Sequence, residues 1–384
     1  MASYEHLFPR GIAQGEAFCN REEERKQLMR NIKAGRHTLL ISPRRYGKTS
    51  LVRYVIEEMK LPFGEADLFV AVDAKRIEQR ILAGIKMTMS SINTSLEQTL
   101  RSVREYFKKL NSQWVIGTQG VSLALIPAAD SDPATNILEA LQMLENFLAQ
   151  KKKRAVIFLD EAQEIGEVAE GKGIEGAIRH VAQQSKYLSF VFSGSSRHLL
   201  SQMFFDKARP LYKLCDRIVL DRISIINYEK HINLLAQKRW RSHLTKPAMA
   251  AILHLTECHP YYINNLCFRL WDTLNSLPSA NQVELNWDTF IKEERLETVK
   301  ELGSLSLGQR KILIAIASGQ HKELTNKKSI KMFNMNSSSI VEALKVLEQK
   351  DYVEYQNDGY VIIDPLIKTS LQVYFNEKEN TENS

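Results

Sequence analysis

Apolar residues recur along this chain with two different spacings. Residues 20–34 form an amphipathic run preceded by Asn20, a candidate cap, with acidic residues in its first turn and Gly35 after its end, which predicts a helix. Leu51, Val52, Val55, Ile56 and Met59 share one helical face within 49–60, and residues 137–150 are strongly periodic in the same way. Between these lie short apolar runs at 37–42, 68–74, 156–159 and 188–196, the last ending in small polar residues. Runs of that length suit strands covered on both faces, so their alternation with helices predicts a parallel α/β sheet. Residues 77–110 are expected to be helical, 115–127 a hairpin, 170–176 a flexible turn and 177–187 a further helix.

After 216–224 the texture changes. Residues 228–300 carry only helical patterning. Three helical stretches (306–318, 327–333, 338–350) then precede two short alternating runs joined by Asn357-Asp358-Gly359, a hairpin signal. Three helices followed by a hairpin is the order of a winged helix. The organisation expected is a lead-in over 1–15, an α/β domain over 16–223, a helical domain over 224–300, a winged helix over 301–375 and an unstructured tail over 376–384.

Composition narrows the class. At 384 residues the chain is long enough for two or three domains, and 44% hydrophobic with 25% charged residues excludes disorder of the whole. No apolar run approaches the roughly 18 residues that span a bilayer, and the first residues lack a charged head followed by an apolar stretch. Neither a membrane segment nor a secretory leader is therefore expected. The four cysteines, at 19, 215, 258 and 267, form no paired motif, which argues for a reduced, cytoplasmic setting. The net charge of +7, from 52 basic and 45 acidic residues, permits a phosphate-rich partner without requiring one. The Lys-Lys-Lys-Arg cluster at 151–154 reads as the solvated end of a helix.

The candidate chemistry begins at Ser42-Pro43-Arg44-Arg45-Tyr46-Gly47-Lys48-Thr49-Ser50. This run fits Gly-x-x-x-x-Gly-Lys-Ser/Thr at every position but the first. Such a loop, between a buried strand and a new helix, cradles phosphates with backbone N–H groups. Gly47 allows close approach, Lys48 reaches the β and γ oxygens, and Thr49 offers a hydroxyl to Mg²⁺. Ser42 in place of glycine removes no ligand-binding group. About 110 residues on, a second apolar run ends in Asp160 and Glu161. Asp160 is the candidate Mg²⁺ ligand and Glu161 the group that polarises an attacking water. Gln163 could help to orient that water. A third strand ends in Ser193-Gly194-Ser195-Ser196, where Ser193 could sense the γ-phosphate. Arg197 could lie near the nucleotide or reach a neighbouring subunit. The alternative is local: Ser195 or Ser196 caps the helix that follows.

Taken together, Ser42–Leu51, Val156–Ile165, Phe190–Leu200 and Pro210-Leu211-Tyr212 resemble the archaeal-type ATPase family, a branch of the AAA+ and STAND P-loop ATPases. The resemblance spans 18–375. It implies a P-loop NTPase sheet domain, an all-helical lid and a C-terminal winged helix, with ATP and Mg²⁺ as ligands. On the matching positions it makes Lys48, Thr49, Asp160 and Glu161 the nucleotide and magnesium core and Ser193 the sensor. Asn20 and Arg21 correspond to base-side contacts, and His259 and Pro260 to the lid contact. Arg209 becomes a candidate arginine acting on a neighbouring subunit. Each of the last group has a plain alternative: Asn20 as a helix cap, Arg209 paired with a local carboxylate such as Asp206, His259-Pro260 as a loop stop. Cys258 stands where the family usually has glycine before His-Pro, and glycine there would allow closer backbone approach.

A winged helix either contacts DNA or serves as a protein scaffold. Its candidate recognition helix, 336–350, has Ile340, Val341, Leu344 and Leu347 as the expected buried stripe, and an outer face in which Glu342 and Lys345 nearly cancel. Lys327, Lys328 and Lys331 could hold phosphates. The reading reached is an ATPase that couples nucleotide state to movement of its C-terminal parts. The rival is a nucleotide-gated binding module with very slow turnover, holding ATP or ADP and acting on DNA, a protein partner or a second copy of itself.

Overall fold

The structure is a computed structural model that describes residues 4–92, 95–110, 114–119, 122–128 and 130–382. The chain forms two compact units, one of residues Arg21–Asp221 and the other of the residues up to Asn20 together with those from Arg222 onward.

The first unit opens with helix α1 (Glu22–Lys33), strand β1 (Thr38–Ile41), helix α2 (Lys48–Met59) and strand β2 (Phe63–Asp67). Helices α3 (Ala74–Ser90) and α4 (Leu96–Leu110) follow, then a hairpin of β3 (Trp114–Gln119) and β4 (Ser122–Pro127). The rest comprises α5 (Pro133–Lys151), β5 (Ala155–Asp160), α6 (Glu164–Glu167), α7 (Gly171–Gln184), β6 (Leu188–Gly194), α8 (Arg197–Phe205) and β7 (Asp216–Val219). Five strands build one parallel sheet in the order β2-β5-β6-β1-β7. Strands β1 and β6 are buried throughout and β5 up to its last residue, so helices cover both faces of the sheet. The parallel α/β expectation is met.

Three details of this unit differ from the sequence reading. The second strand is Phe63–Asp67 rather than 68–74, because Phe63–Asp67 carries the register with β5 while Leu68–Ala71 closes a turn. Phe69, Val70 and Val72 are consequently exposed. A Cβ on Gly64 would lie 2.0 Å from the Gly84 carbonyl oxygen, so this strand needs its glycine for contact with α3, and the residue looked unlike a strand former for that reason. Residues 171–176, expected as a flexible turn, open helix α7. Gly171 is there because a Cβ would lie 1.9 Å from the Ile165 carbonyl oxygen. Finally, α1 is preceded by Arg21 in a left-handed conformation (φ 42°), and Asn20 does not cap it.

In the second unit, helices α9 (Ile225–Trp240), α10 (Lys246–Leu255), α11 (Pro260–Thr273) and α12 (Ala280–Gly303) form a helical bundle. Residues of the lead-in fold with it: Leu7 and Phe8 join its core, and the Phe8 ring meets Trp271 edge-on at 4.8 Å. Helices α13 (Leu307–Ala317), α14 (Lys327–Phe333) and α15 (Ser337–Gln349) precede the hairpin of β8 (Val353–Gln356) and β9 (Gly359–Ile362). Asn357 and Asp358 both have positive φ (48° and 64°), as a tight two-residue hairpin turn requires. The buried face of α15 is Ile340, Ala343, Leu344 and Leu347, whereas Val341 is exposed because it lies off that stripe. A last helix, α16 (Pro365–Glu382), runs through the stretch from 376 that was expected to be an unstructured tail. Proline in its first turn and the absence of any later Gly or Pro let it continue.

The helical bundle and the winged helix are joined by a polar latch. Glu257 accepts from Lys368 at 2.6 Å and pairs with Arg222, whose other nitrogen donates to the Ile363 carbonyl at 2.8 Å. The Tyr262 hydroxyl donates to the Asp364 carboxylate at 2.7 Å.

Candidate functional site

The carboxyl ends of β1, β5 and β6 lie at one end of the sheet, since Leu40 pairs with Ser193 and Leu159 with Phe192. Ligand crevices of open parallel sheets form at that end. The loop from Ser42 to Gly47 leaves β1 there, with Arg45 and Gly47 at positive φ (63° and 85°), and α2 begins at Lys48. Arg44 and Arg45 are exposed, whereas Ser42, Pro43, Tyr46, Lys48 and Ser50 are buried. Arg21, only 4% exposed, donates to the Tyr46 carbonyl at 2.8 Å and to the Asp221 carbonyl at 3.0 Å. It thus braces the loop from behind.

Lys48 points its ammonium into the loop, donating to the carbonyls of Pro43 (3.0 Å) and Ser42 (3.2 Å). The Thr49 hydroxyl donates to Asp160 at 2.7 Å across 111 positions of sequence, and the Ser193 hydroxyl donates to the other oxygen of the same carboxylate. One aspartate therefore gathers the first turn of α2 and the end of β6.

Glu161 is held differently. Its backbone is left-handed (φ 51°), which turns the side chain out of the strand's alternation. One carboxylate oxygen accepts from Gln163 (2.6 Å), the Ser195 amide (2.8 Å) and the Ser195 hydroxyl (2.8 Å). Burial pushes this carboxyl upward, but those three bonds and the nearby Lys48 charge outweigh it, and the net shift is below the usual value of 4.5. Glu164 moves the other way, raised by burial and by the charges of Glu161 and Glu167. Gln163 is buried and its Oε1 has no hydrogen-bond partner.

The donor set suits a magnesium–nucleotide pair. A hydroxyl and a carboxylate 2.7 Å apart are hard oxygen ligands, and Mg²⁺ ordinarily takes one or two carboxylates with substrate phosphates rather than an all-protein cage. No group of three or more His, Cys, Asp or Glu among the described residues could hold a metal alone. The unpartnered Gln163 Oε1 leaves one polar atom free to accept a hydrogen bond from a bound water.

The remaining predicted residues fall in two places. Within the sheet unit, Arg209 pairs with Glu175, which has no exposed surface, and Arg179 donates to the Tyr212 carbonyl at 3.0 Å. The Pro210-Leu211-Tyr212 turn is pinned between these two arginines. Ser196 caps α8, so Ser195 is left to hold Glu161. Of the two caps open from sequence, Ser195 and Ser196, it is Ser196; four hydroxyl-bearing or small residues in a row do not say which one turns toward β5. In the other unit, His259 is buried and caps α11 by accepting from the Tyr261 amide at 3.3 Å, with Pro260 opening the helix. Cys258 has φ 56°, the left-handed geometry that glycine would adopt without strain. Asn20 donates to Asn227 at 3.3 Å.

The fold is a parallel α/β domain of P-loop type, followed by a helical region and a winged helix. Residues 103–213 match the family described as an AAA domain, and residues 299–373 the family described as a probable winged helix domain. Among solved structures, the Walker-type ATPase of Pyrococcus abyssi is similar at 17% identity, with a TM-score of 0.70 over 95% of this chain and 99% of that one. The ORC2 protein of Aeropyrum pernix, solved as ADPNP–ADP complexes, is similar at 14% identity, with a TM-score of 0.58 over 100% and 99%. At such identities the likeness is one of fold. Comparison with curated proteins gave no match. No helix among the described residues is long and apolar enough to cross a membrane.

Proposed function

We propose that this chain binds ATP with Mg²⁺ and hydrolyses it to ADP and phosphate, and that nucleotide state repositions the helical lid and winged helix. The observation that carries the reading is the Thr49–Asp160 hydrogen bond, which brings two magnesium-type oxygens to the start of the helix bearing Lys48. In this reading Lys48 exchanges its loop carbonyls for phosphate oxygens. Thr49 and Asp160 hold the metal, which supplies charge neutralisation to the phosphates. Glu161 orients the attacking water and takes up its proton, with Gln163 beside it and Ser193 at the γ-phosphate. Asn20, His259 and Pro260 belong to the base-side part of the same proposal. Arg21 supports the loop through Tyr46.

Calorimetry with ATP and a phosphate-release assay test this directly. Lys48→Ala is expected to lose nucleotide binding. Glu161→Gln is expected to keep binding and to lose at least about a hundredfold in turnover, the usual worth of a positioned base. Turnover that survives in both variants would refute the assignment.

A second reading, a nucleotide-gated switch with very slow turnover, is favoured by the three donors that already occupy one oxygen of Glu161. Phosphate release that stays slow with and without duplex DNA, with nucleotide retained through purification, supports the switch. Release stimulated by DNA supports steady hydrolysis.

A further inference from the structure

The nucleotide-type site occupies the carboxyl ends of the parallel strands. Their opposite, amino-terminal ends carry a different chemistry. Each of the five strands is preceded within three residues by a basic side chain. In sheet order these are Lys60, Arg154, Lys186, Arg36 and Lys213, all exposed. The helices that return to this end add more: Arg30 and Lys33 close α1, and Lys152 and Lys153 follow α5, again all exposed. Hydrogen bonds show that these segments meet. Arg154 donates to the Ile32 carbonyl at 3.4 Å, the Asp216 amide to the His37 carbonyl at 2.9 Å, and the Ala155 amide to the Tyr187 carbonyl at 2.9 Å. Strand spacing makes the row about 19 Å long.

Acidic groups offset it only in part: against the nine basic side chains just named stand the four carboxylates of Asp216, Glu58, Glu145 and Glu57. Asp216 is already paired with Arg36, and Glu58 with Arg25. Glu145 accepts the backbone amides of Lys186 and Tyr187, which leaves Glu57. Basic residues at helix ends also complement helix dipoles, which covers the caps Lys60 and Lys152 and the Arg154 contact with α1; Lys186, Arg36 and Lys213 lie beyond the cap residues. Lys60, Lys152 and Lys213 moreover sit at left-handed backbone positions (φ 51°, 51° and 54°), where glycine would save about 1 kcal/mol each. Beyond capping α2 and α5 and, for Lys213, lying over the Tyr212 ring, these lysines add charge to the edge. Within the row, Arg36, His37, Arg179, Gln183, Lys213 and Asp216 line an open cavity of about 320 Å³, roomy enough for a phosphate group.

The charge of the whole chain points the same way. Residues 21–221 hold 31 basic and 24 acidic side chains, a net +7, while the remainder holds 21 of each. The unit containing the winged helix is neutral.

We propose that the amino-terminal edge of the parallel sheet is a binding surface for the sugar–phosphate backbone of duplex nucleic acid, without base reading. A row about 19 Å long runs beside a length of duplex that carries about eleven phosphates on its two strands, at one charge per ~1.7 Å of axis. A membrane surface fits less well: Phe205, an exposed apolar side chain at this edge, lies under the Arg217 guanidinium and is not free to insert.

The test uses the full chain and a random-sequence DNA duplex, with affinity measured by fluorescence anisotropy between about 50 and 200 mM salt. The triple variant Lys152→Glu, Lys153→Glu, Lys186→Glu is expected to bind at least tenfold more weakly at the lower salt. Its log K against log salt slope should be shallower by about three. Lysine-to-glutamine changes at the same positions should give a smaller loss in the same direction, and unchanged ATP binding would show the fold and the nucleotide site intact. Duplex affinity unaffected by either set overturns the proposal. So does wild-type chain that fails to bind duplex, or that binds only vesicles rich in anionic lipid. Loss of duplex binding on reversal of Lys327, Lys328 and Lys331, with the sheet-edge variants unaffected, overturns it in favour of the winged helix.

Discussion

Glu161 spends most of its hydrogen-bonding capacity on Ser195 and Gln163, and this sets its acidity. Burial alone would raise its carboxyl; the donors and Lys48 bring it below 4.5. A base with that acidity is ionised throughout the neutral range, so the acid limb of kcat/KM due to Glu161 is expected below pH 4.5. Ser195→Ala removes the hydroxyl donor and keeps the amide, so the limb should move toward higher pH. A pH–rate profile of both proteins checks this; an unmoved limb would show that Glu161 is not the titrating base. At this scale the sequence was legible where a spacing specifies chemistry. Thr49 meets Asp160 at 2.7 Å across the two motifs, while Lys48 faces the carbonyls of its own loop. Ser195 was not legible, because its role depends on the left-handed turn at Glu161 and on how β6 lies beside β5, neither of which has a residue-type signature.

Elements were legible in proportion to how far their patterns reflect burial alone. The two-residue turn at Asn357-Asp358 and the stripe of α15 follow from local chemistry. Strand β2 did not, because Gly64 and Glu65 answer to neighbours: Gly64 to the backbone of α3, and Glu65 to Arg53 at 2.9 Å. The same holds for α7, whose opening glycine marks a close approach to Ile165. The turn at Pro210-Leu211-Tyr212 depends on a partner that is remote in sequence. Arg209→Ala leaves Glu175 buried and unpaired, and is expected to cost about 3–5 kcal/mol in urea unfolding. Replacing both residues by apolar side chains of similar size should restore most of that loss. A cost below about 1 kcal/mol for the single variant would show the pair to be solvated.

For the molecule as a whole, the latch at Glu257 ties the helical bundle to the winged helix. Burial raises the Glu257 carboxyl, yet Lys368 and Arg222 outweigh it and hold it below 4.5. A depressed carboxylate contributes its stability above the unfolded value and loses it as pH falls through the folded one. The latch is therefore expected to be intact at neutral pH and to fail below pH 4.5. Glu257→Gln should weaken it at neutral pH by about 1–2 kcal/mol, read as faster amide exchange at Leu366 and Ile367 at the start of α16. Exchange equal to the wild type would show that apolar contacts such as Leu366 hold the two parts alone.

Leu7, Phe8 and Cys19 reside in a core whose other buried members all come after residue 222, and Arg21 and Asp221 meet at 3.0 Å. The sheet unit is thus a cassette interrupting the other fold, with its two ends tied together. During synthesis the cassette emerges complete while the leading segment still lacks its partners. At ~5–20 residues per second that segment waits about 10–40 s for them, its Phe8 ring exposed to the ribosome surface and to any chaperone nearby.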